Sequence, residues 1–232
     1  MSNSQKLVFD IETIGREFKD LDKTSQEYIQ INAEKYGRDF EEEKERLGFS
    51  PLTGEVVAIG MLNPNSNKGA IYLRGDKPLA EAGLDENIIL ETGTEKEVLE
   101  KFWQAIKNYN TFISFNGRGF DVPFLMVRSA ILGVVPTKNL MSNRYLSSQK
   151  YDALHIDLLD QLTFYGAVPR KFNMHFWTKA FGIKSPKEDG VTGDDVGRLF
   201  KEGKTMEIAQ YNLGDLKATQ ELYEKWEKYI NV

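Results

Sequence analysis

The stretch Leu7-Val8-Phe9-Asp10-Ile11-Glu12 constrains this chain more than any other. Leu7, Val8 and Phe9 form an apolar, partly β-branched run, which predicts a buried strand. Asp10 and Glu12 end that run, and side chains two apart on a strand point to the same face. Two carboxylates side by side at a core strand repel each other unless something positive lies between them. The pair therefore has two readings. Either the strand emerges into water carrying two solvated acids, or the acids hold a divalent cation.

The rest of the chain supplies a sheet and helices around that strand. Residues 55–62 and 70–73 read as strands joined by the turn Asn63-Pro64-Asn65-Ser66-Asn67, with a further short strand at 88–90 and another at 111–115. Residues 153–159 suggest one more strand. Thr94 and Glu97 have capping-box spacing and open a helix whose face carries Val98, Leu99, Phe102, Trp103 and Ile106. Helices are also predicted over 120–132, over 172–181 with a stop at Gly182, and over 205–229. Strands joined by hairpins, followed by crossover helices, indicate an α/β fold. It is a mixed sheet with an antiparallel three-strand edge, parallel strands and flanking helices. Between the first two strands lies a charged segment, residues 16–50, read as a helical insertion. One of its helices opens at the Thr24/Glu27 capping box, and a second covers 39–47. The insertion is either a solvated scaffold or an element that gates the neighbouring acids.

A length of 232 residues suits one domain carrying that insertion. The absence of cysteine excludes disulfides, thiolate metal sites and thiol chemistry. Two histidines, His155 and His175, are too few for a multi-histidine centre. Residues 1–6 hold no apolar signal core and no apolar run approaches a membrane span, so a cytoplasmic protein without membrane contact is expected. The net charge of −5 gives no general basic character, so any nucleic-acid contact must be local.

Two further segments carry acids in telling places. In Phe115-Asn116-Gly117-Arg118-Gly119-Phe120-Asp121, a strand runs through two glycines into an aspartate at a helix start. Glycine permits close approach of a substrate to the backbone. Asp121 is either a helix cap or a site residue. In Tyr211-Asn212-Leu213-Gly214-Asp215, Tyr211 and Asp215 lie four apart and share a helical face. An aspartate directed at the protein body is costly without a partner, and a bound cation would be one. The alternative is a half-exposed Tyr–Asp pair on the helix flank.

Taken in order, Asp10-Ile11-Glu12, the segment from Asn116 to Asp121, and the segment from Tyr211 to Asp215 resemble the three exonuclease motifs of the DEDD superfamily. The chain is most similar to the proofreading exonuclease domain of family B DNA polymerases and to its stand-alone 3′–5′ exonuclease relatives. The resemblance covers most of the chain but not residues 16–50 or 138–150. It implies a ribonuclease H-like fold and a single exonuclease domain over 1–232. It implies that Asp10, Glu12, Asp121 and Asp215 hold two divalent ions, Mg2+ or Mn2+. It also implies that Tyr211 orients the attacking water. Gln210 stands where the histidine branch carries its histidine, so the chain resembles the tyrosine branch. Both ions prefer oxygen ligands, and a pair ~3.5–4 Å apart can clamp one phosphodiester. A tyrosine with a usual pKa of about 10 is a poor base at neutral pH, which suits a positioning duty.

Substrate contacts are read from charge and aromatic content. Residues 138–187 hold eight Lys and Arg against Asp152, Asp157 and Asp160, the local excess that phosphate contacts need. Arg118, Arg170 and Lys171 are expected to place the substrate backbone. Asn116, Gly117 and Phe120 either contact the terminal nucleotide or support the loop, Phe120 being the more core-like. Tyr145 and Tyr151 are candidates for base stacking, whereas Phe164 and Phe172 are expected in the core. The leading expectation is a 3′–5′ exonuclease on single-stranded DNA ends, with a polymerase or repair protein as partner. An RNA-trimming exonuclease on the same site and a non-catalytic nucleic-acid-binding or scaffold protein are the alternatives.

Overall fold

Six strands, β1 (Lys6–Gly15), β2 (Gly54–Asn63), β3 (Lys68–Arg74), β4 (Ile88–Gly93), β5 (Thr111–Ser114) and β6 (Leu154–Asp157), make one sheet in the computed structural model. The structure describes residues 5–75, 84–190 and 192–231. The strand order is β4-β3-β2-β1-β5-β6. β2 runs antiparallel to both β1 and β3, while β5 and β6 continue the sheet in parallel from β1. β4 lies outside β3 and runs parallel to it, so the antiparallel trio is interior on that side. Most of the connection into β4 falls outside the described residues, as does most of the 1–6 segment.

The helices are α1 (Lys23–Lys35), α2 (Phe40–Glu45), α3 (Glu95–Ala105), α4 (Asp121–Leu132), α5 (Leu158–Leu162), α6 (Met174–Ala180), α7 (Val196–Lys201) and α8 (Thr205–Tyr229). Strand alternation divides the core into two layers. Leu7, Phe9 and Ile11 of β1 pack with Val98, Phe102 and Trp103 of α3 and Phe124 of α4. Val8 packs on the other side with Leu213, Leu216 and Trp226 of α8. The same alternation sends Asp10 and Glu12 toward α8, which lies across β1 and β2.

Local signals account for most of the element ends. Thr94 and Glu97 form a reciprocal capping box at α3, and α8 occupies 205–229 as its periodicity predicts. In the insertion, the cap of α1 is Asp22 and not Thr24. Its carboxylate accepts from Ser25 N at 3.0 Å, and aspartate outranks threonine as a cap. The predicted 39–47 helix is α2 followed by a 3-10 turn, Arg46–Phe49. The predicted 153–159 strand stops at Asp157, whose side chain accepts from Leu159 N and starts α5 instead. Phe164 is not in the core. It and Tyr165 adopt left-handed backbone, with φ of 49° and 56°, in a tight turn that puts Phe164 57% in solvent. Phe172 is half-buried and stacks on Phe176.

One buried ion pair locks α4 to the sheet. Arg128 of α4 donates twice to Glu95 of α3, at 2.8 and 2.6 Å, and Glu95 also accepts from Val56 N of β2. Both side chains are almost fully buried. Removing one partner of such a pair leaves an uncompensated charge and costs about 3–5 kcal/mol. Arg128→Ala is therefore expected to lower urea-unfolding stability by about that amount, whereas a surface control such as Lys96→Ala shifts it by no more than about 0.5 kcal/mol.

Candidate active site

The site begins where β1 loses a neighbour. β5 pairs with β1 only along Lys6, Leu7 and Val8. Beyond that point β1 continues with β2 alone, and Ile11 N donates to Asp121 Oδ1 at 3.1 Å. Asp121, the first residue of α4, is 4% exposed, and no side chain caps its helix. The cap reading of Asp121 thus gives way to a bond across to β1. Within β2 the register shifts opposite Glu12 and Thr13, a bulge that adds local twist beside Glu12.

The loop that delivers Asp121 is tightly built. Asn116 has φ of 62°. A Cβ on Gly117 would lie 2.2 Å from Ser114 Oγ, so only glycine fits there. Asp157 accepts from the backbone N–H groups of Asn116 and Arg118, each at 2.9 Å, and so holds the turn.

α8 brings the remaining groups. Asp10, Glu12 and Asp215 each offer a carboxylate oxygen, all within 4.8 Å of one another. Asp121 lies beside them, close enough to raise the pKa of Asp10 and to feel Asp215. Asn212 Nδ2 donates to Asp10 Oδ2 at 2.8 Å. Asn212 is fully buried and fits only because residue 60 is glycine, where a Cβ would stand 1.9 Å from Asn212 Oδ1. The Tyr211 side chain lies beside Asp215, one helical turn away, and pulls its carboxyl down.

With no cation present this arrangement is electrostatically poor. Burial pushes Asp10 and Glu12 well above the usual carboxylate range, and neighbouring carboxylates push them further. Burial raises Asp121 and Asp215 from 3.8 to about 7, with Tyr211 and Lys187 pulling Asp215 back down. Burial, then the charges of Asp215, Glu12 and Asp10, raises Tyr211 far above its usual value, so the phenol stays protonated. Glu12 Oε1 is buried without a hydrogen-bond partner. An orphaned carboxylate oxygen among two other carboxylates is what a hard divalent cation satisfies, so the donor set fits such an ion.

Two family models match the chain. One, the exonuclease domain of DNA polymerase family B, matches residues 3–155. The other, described as a predicted 3′–5′ exonuclease related to the exonuclease domain of PolB, matches residues 82–231. The chain belongs to the family of 3′–5′ exonucleases related to that domain. Curated relatives include a DNA polymerase of Desulfurococcus sp. (strain Tok), 29% identical over 64% of this chain and 20% of the relative. Another is a DNA polymerase of Thermococcus gorgonarius, 27% identical over 78% of this chain and 25% of the relative. The chain thus spans a fifth to a quarter of the length of these relatives. The solved family B DNA polymerase of Pyrobaculum calidifontis shares the fold, with a TM-score of 0.57 and 18% identity over 97% of this chain and 25% of that one.

The other residues read from the sequence sit variously in this exonuclease. Asn116 is exposed at the loop tip, Gly117 is buried beneath it, and Phe120 is half-buried against the α3/α4 core. Arg118 turns inward, its Nη1 donating to Leu140 O at 3.1 Å. Arg170 lies over the Phe172 ring at 4.6 Å and Lys171 beside it is exposed, and neither is tied to the acids. Part of the expected basic patch is spent internally, with Arg144 on Asp160 and Lys179 on Glu188. Both histidines are structural: His155 between Ser114 and Leu140 O, His175 against Ser185. Sequence reasoning missed Asn212 and Asp157, and saw in Lys187 only part of a patch. A buried-side Asn one position from Tyr211 was the available signal for the first.

Two outcomes follow from this geometry. Carboxyls whose folded pKa is raised bind protons more tightly in the folded state, so they stabilise at low pH and lose that contribution as pH rises through the folded pKa. The metal-free protein should accordingly show a thermal midpoint that falls as pH is raised from about 4 through about 7, the folded value for Asp121 and Asp215. Mn2+ or Mg2+ should restore it, at about 2–4 °C per kcal/mol, and should fail to do so in the double variant Asp10→Ala, Asp215→Ala. Separately, Asn212→Ala removes the amide that steadies Asp10, and the Mn2+ concentration giving half the thermal shift should rise about tenfold.

Proposed function

We propose that this 3′–5′ exonuclease is a metal-dependent, tyrosine-branch enzyme acting on the 3′ ends of single-stranded DNA through two divalent ions, Mg2+ or Mn2+. The observation that carries the reading is the buried, unpartnered Glu12 Oε1 inside the cluster of Asp10, Glu12 and Asp215. Asp10, Glu12 and Asp215 hold cations, and Asp121, anchored by Ile11 N, completes the set. Bound divalent ions supply an activated water and steady the charge on the leaving 3′ oxygen. Tyr211, kept protonated, orients the water by hydrogen bonding and takes no proton from it. Lys187 opposes the burial that raises the Asp215 carboxyl to about 7, and so favours the ionised form that a ligand role needs. Asn116, Gly117 and Phe120 bear on the terminal nucleotide, and Arg118, Arg170 and Lys171 on the substrate backbone.

The reading takes the chain as one exonuclease domain with an insertion at 16–50, working in the cytoplasm beside a polymerase or repair protein. The DNA polymerase relatives support DNA as substrate. No helix among the described residues is long and apolar enough to cross a membrane.

A 5′-labelled oligonucleotide digest tests this. The expected result is a ladder shortening from the 3′ end with Mg2+ or Mn2+, faster on DNA than on RNA. Tyr211→Phe should lower kcat by about 100-fold, the cost of a misplaced reactant, with little change in KM. RNA preferred over DNA would replace the substrate, and binding without shortening would replace the enzyme by a nucleic-acid-binding protein.

A further inference from the structure

A groove of about 1340 Å3 reaches Glu12 of the acid cluster and is walled in part by the helical insertion. Glu12 and Phe120 are among the residues that line it. One wall is α2 with the 3-10 turn Arg46–Phe49, and the other is α7 with Phe200. Its volume exceeds the roughly 300–1,000 Å3 usual for small-molecule sites and suits a length of polymer.

The insertion wall is fixed relative to Glu12. Thr13 Oγ1 donates to Gly48 O and Thr53 Oγ1 to Leu47 O, each at 2.8 Å. Gly15 and Gly48 meet with no room for a methyl group, since a Cβ on Gly48 would lie 2.9 Å from Gly15 N. The turn carrying Phe49 is thereby clamped to the end of the strand that carries Glu12.

The groove carries no excess of positive charge, since nine acids and seven bases line it, and four phenylalanines stand among them. Arg46 lies over Phe49 at 5.9 Å, Lys44 over Phe18 at 5.6 Å and Arg74 over Phe200 at 5.3 Å. These cations are already engaged by carboxylates: Arg46 by Glu43, Lys44 by Glu41 and Arg74 by Glu55. Phe49 itself is 55% exposed. A groove with more acidic than basic side chains is poor for phosphates, whereas an exposed ring in it serves nucleic-acid bases, every one of which has a π-face.

We propose that this groove seats, by stacking, the bases of the single strand on the 5′ side of the scissile bond, with Phe49 as the principal platform. The proposal rests on the exonuclease reading above. An exonuclease keeps one nucleotide on the leaving side, so a groove long enough for several belongs to the strand that remains. The insertion would then make the enzyme prefer strands of several nucleotides without regard to sequence.

The test uses the full chain, with Phe49→Ala and, as conservative rescue, Phe49→Trp. KM is measured on single-stranded oligonucleotides of increasing length from the dinucleotide, and equilibrium binding of a 5′-fluorescein hexanucleotide is followed by anisotropy without divalent metal. In the wild type KM should fall as the strand lengthens. Phe49→Ala should raise KM and Kd for the hexanucleotide about tenfold, flatten the length dependence and leave the salt slope of binding unchanged, since no phosphate contact is lost. Phe49→Trp should restore wild-type values. Unchanged KM and Kd in Phe49→Ala, a wild type without length dependence, or a wild type that binds no hexanucleotide would each overturn the proposal. Loss of binding in Phe49→Ala beside a wild type that cleaves nothing would sustain the groove and overturn the exonuclease reading instead.

Discussion

Past Val8 the first strand has a partner on one side only, and the rest of the site depends on that. A buried backbone amide at such an edge needs an acceptor. Here Ile11 N finds a carboxylate, Asp121, delivered by the loop that follows β5. The parting of β1 and β5 thus does two things at once. It opens a crevice at the strand ends, and it fixes the position of one acid against the strand that carries two others. The loop in turn rests on Asp157 at the end of β6, so three successive parallel strands contribute to one carboxylate's placement.

The cluster is held against its own repulsion. Four acids stand together, Glu12 and Asp121 buried and Asp10 and Asp215 half-buried, and among the described residues the polar groups that offset them include the Asn212 amide, the Tyr211 hydroxyl, the Ile11 N–H and the more distant Lys187. That is too little to balance four negative charges, which is why burial and mutual charge both push these carboxyls upward. The scaffold around them is correspondingly rigid. The Arg128–Glu95 pair secures α4, and α8 buries Leu213, Leu216, Leu222 and Trp226 along its body. Function-bearing strain of this kind persists where surrounding packing over-determines it.

What the residues disclosed by themselves was local or periodic. The span of α8, the capping box of α3 and the same-face placement of Asp10 and Glu12 depend on short separations, and each was legible. The joining of Asp10 and Glu12 with Asp215 came from the order of three motifs, not from any single one. Contacts across long separations were not legible. Asp121 reaching back to Ile11, Asn212 crossing β2 at Gly60, and the Gly15–Gly48 contact each require knowing which elements pack together. Phe164 misled because an aromatic residue usually goes inside, whereas left-handed backbone at Phe164 and Tyr165 turns it outward. The bond from Arg118 to Leu140 O was likewise not legible, since it joins residues 22 apart through a loop.

The bare position at Gly60 governs the spacing of two whole layers. With no methyl group there, α8 settles onto β2 close enough for an amide on the helix to touch an acid one strand further on. A single missing carbon in mid-sheet therefore acts as a gauge block. It sets how far apart helix-borne and strand-borne oxygens stand.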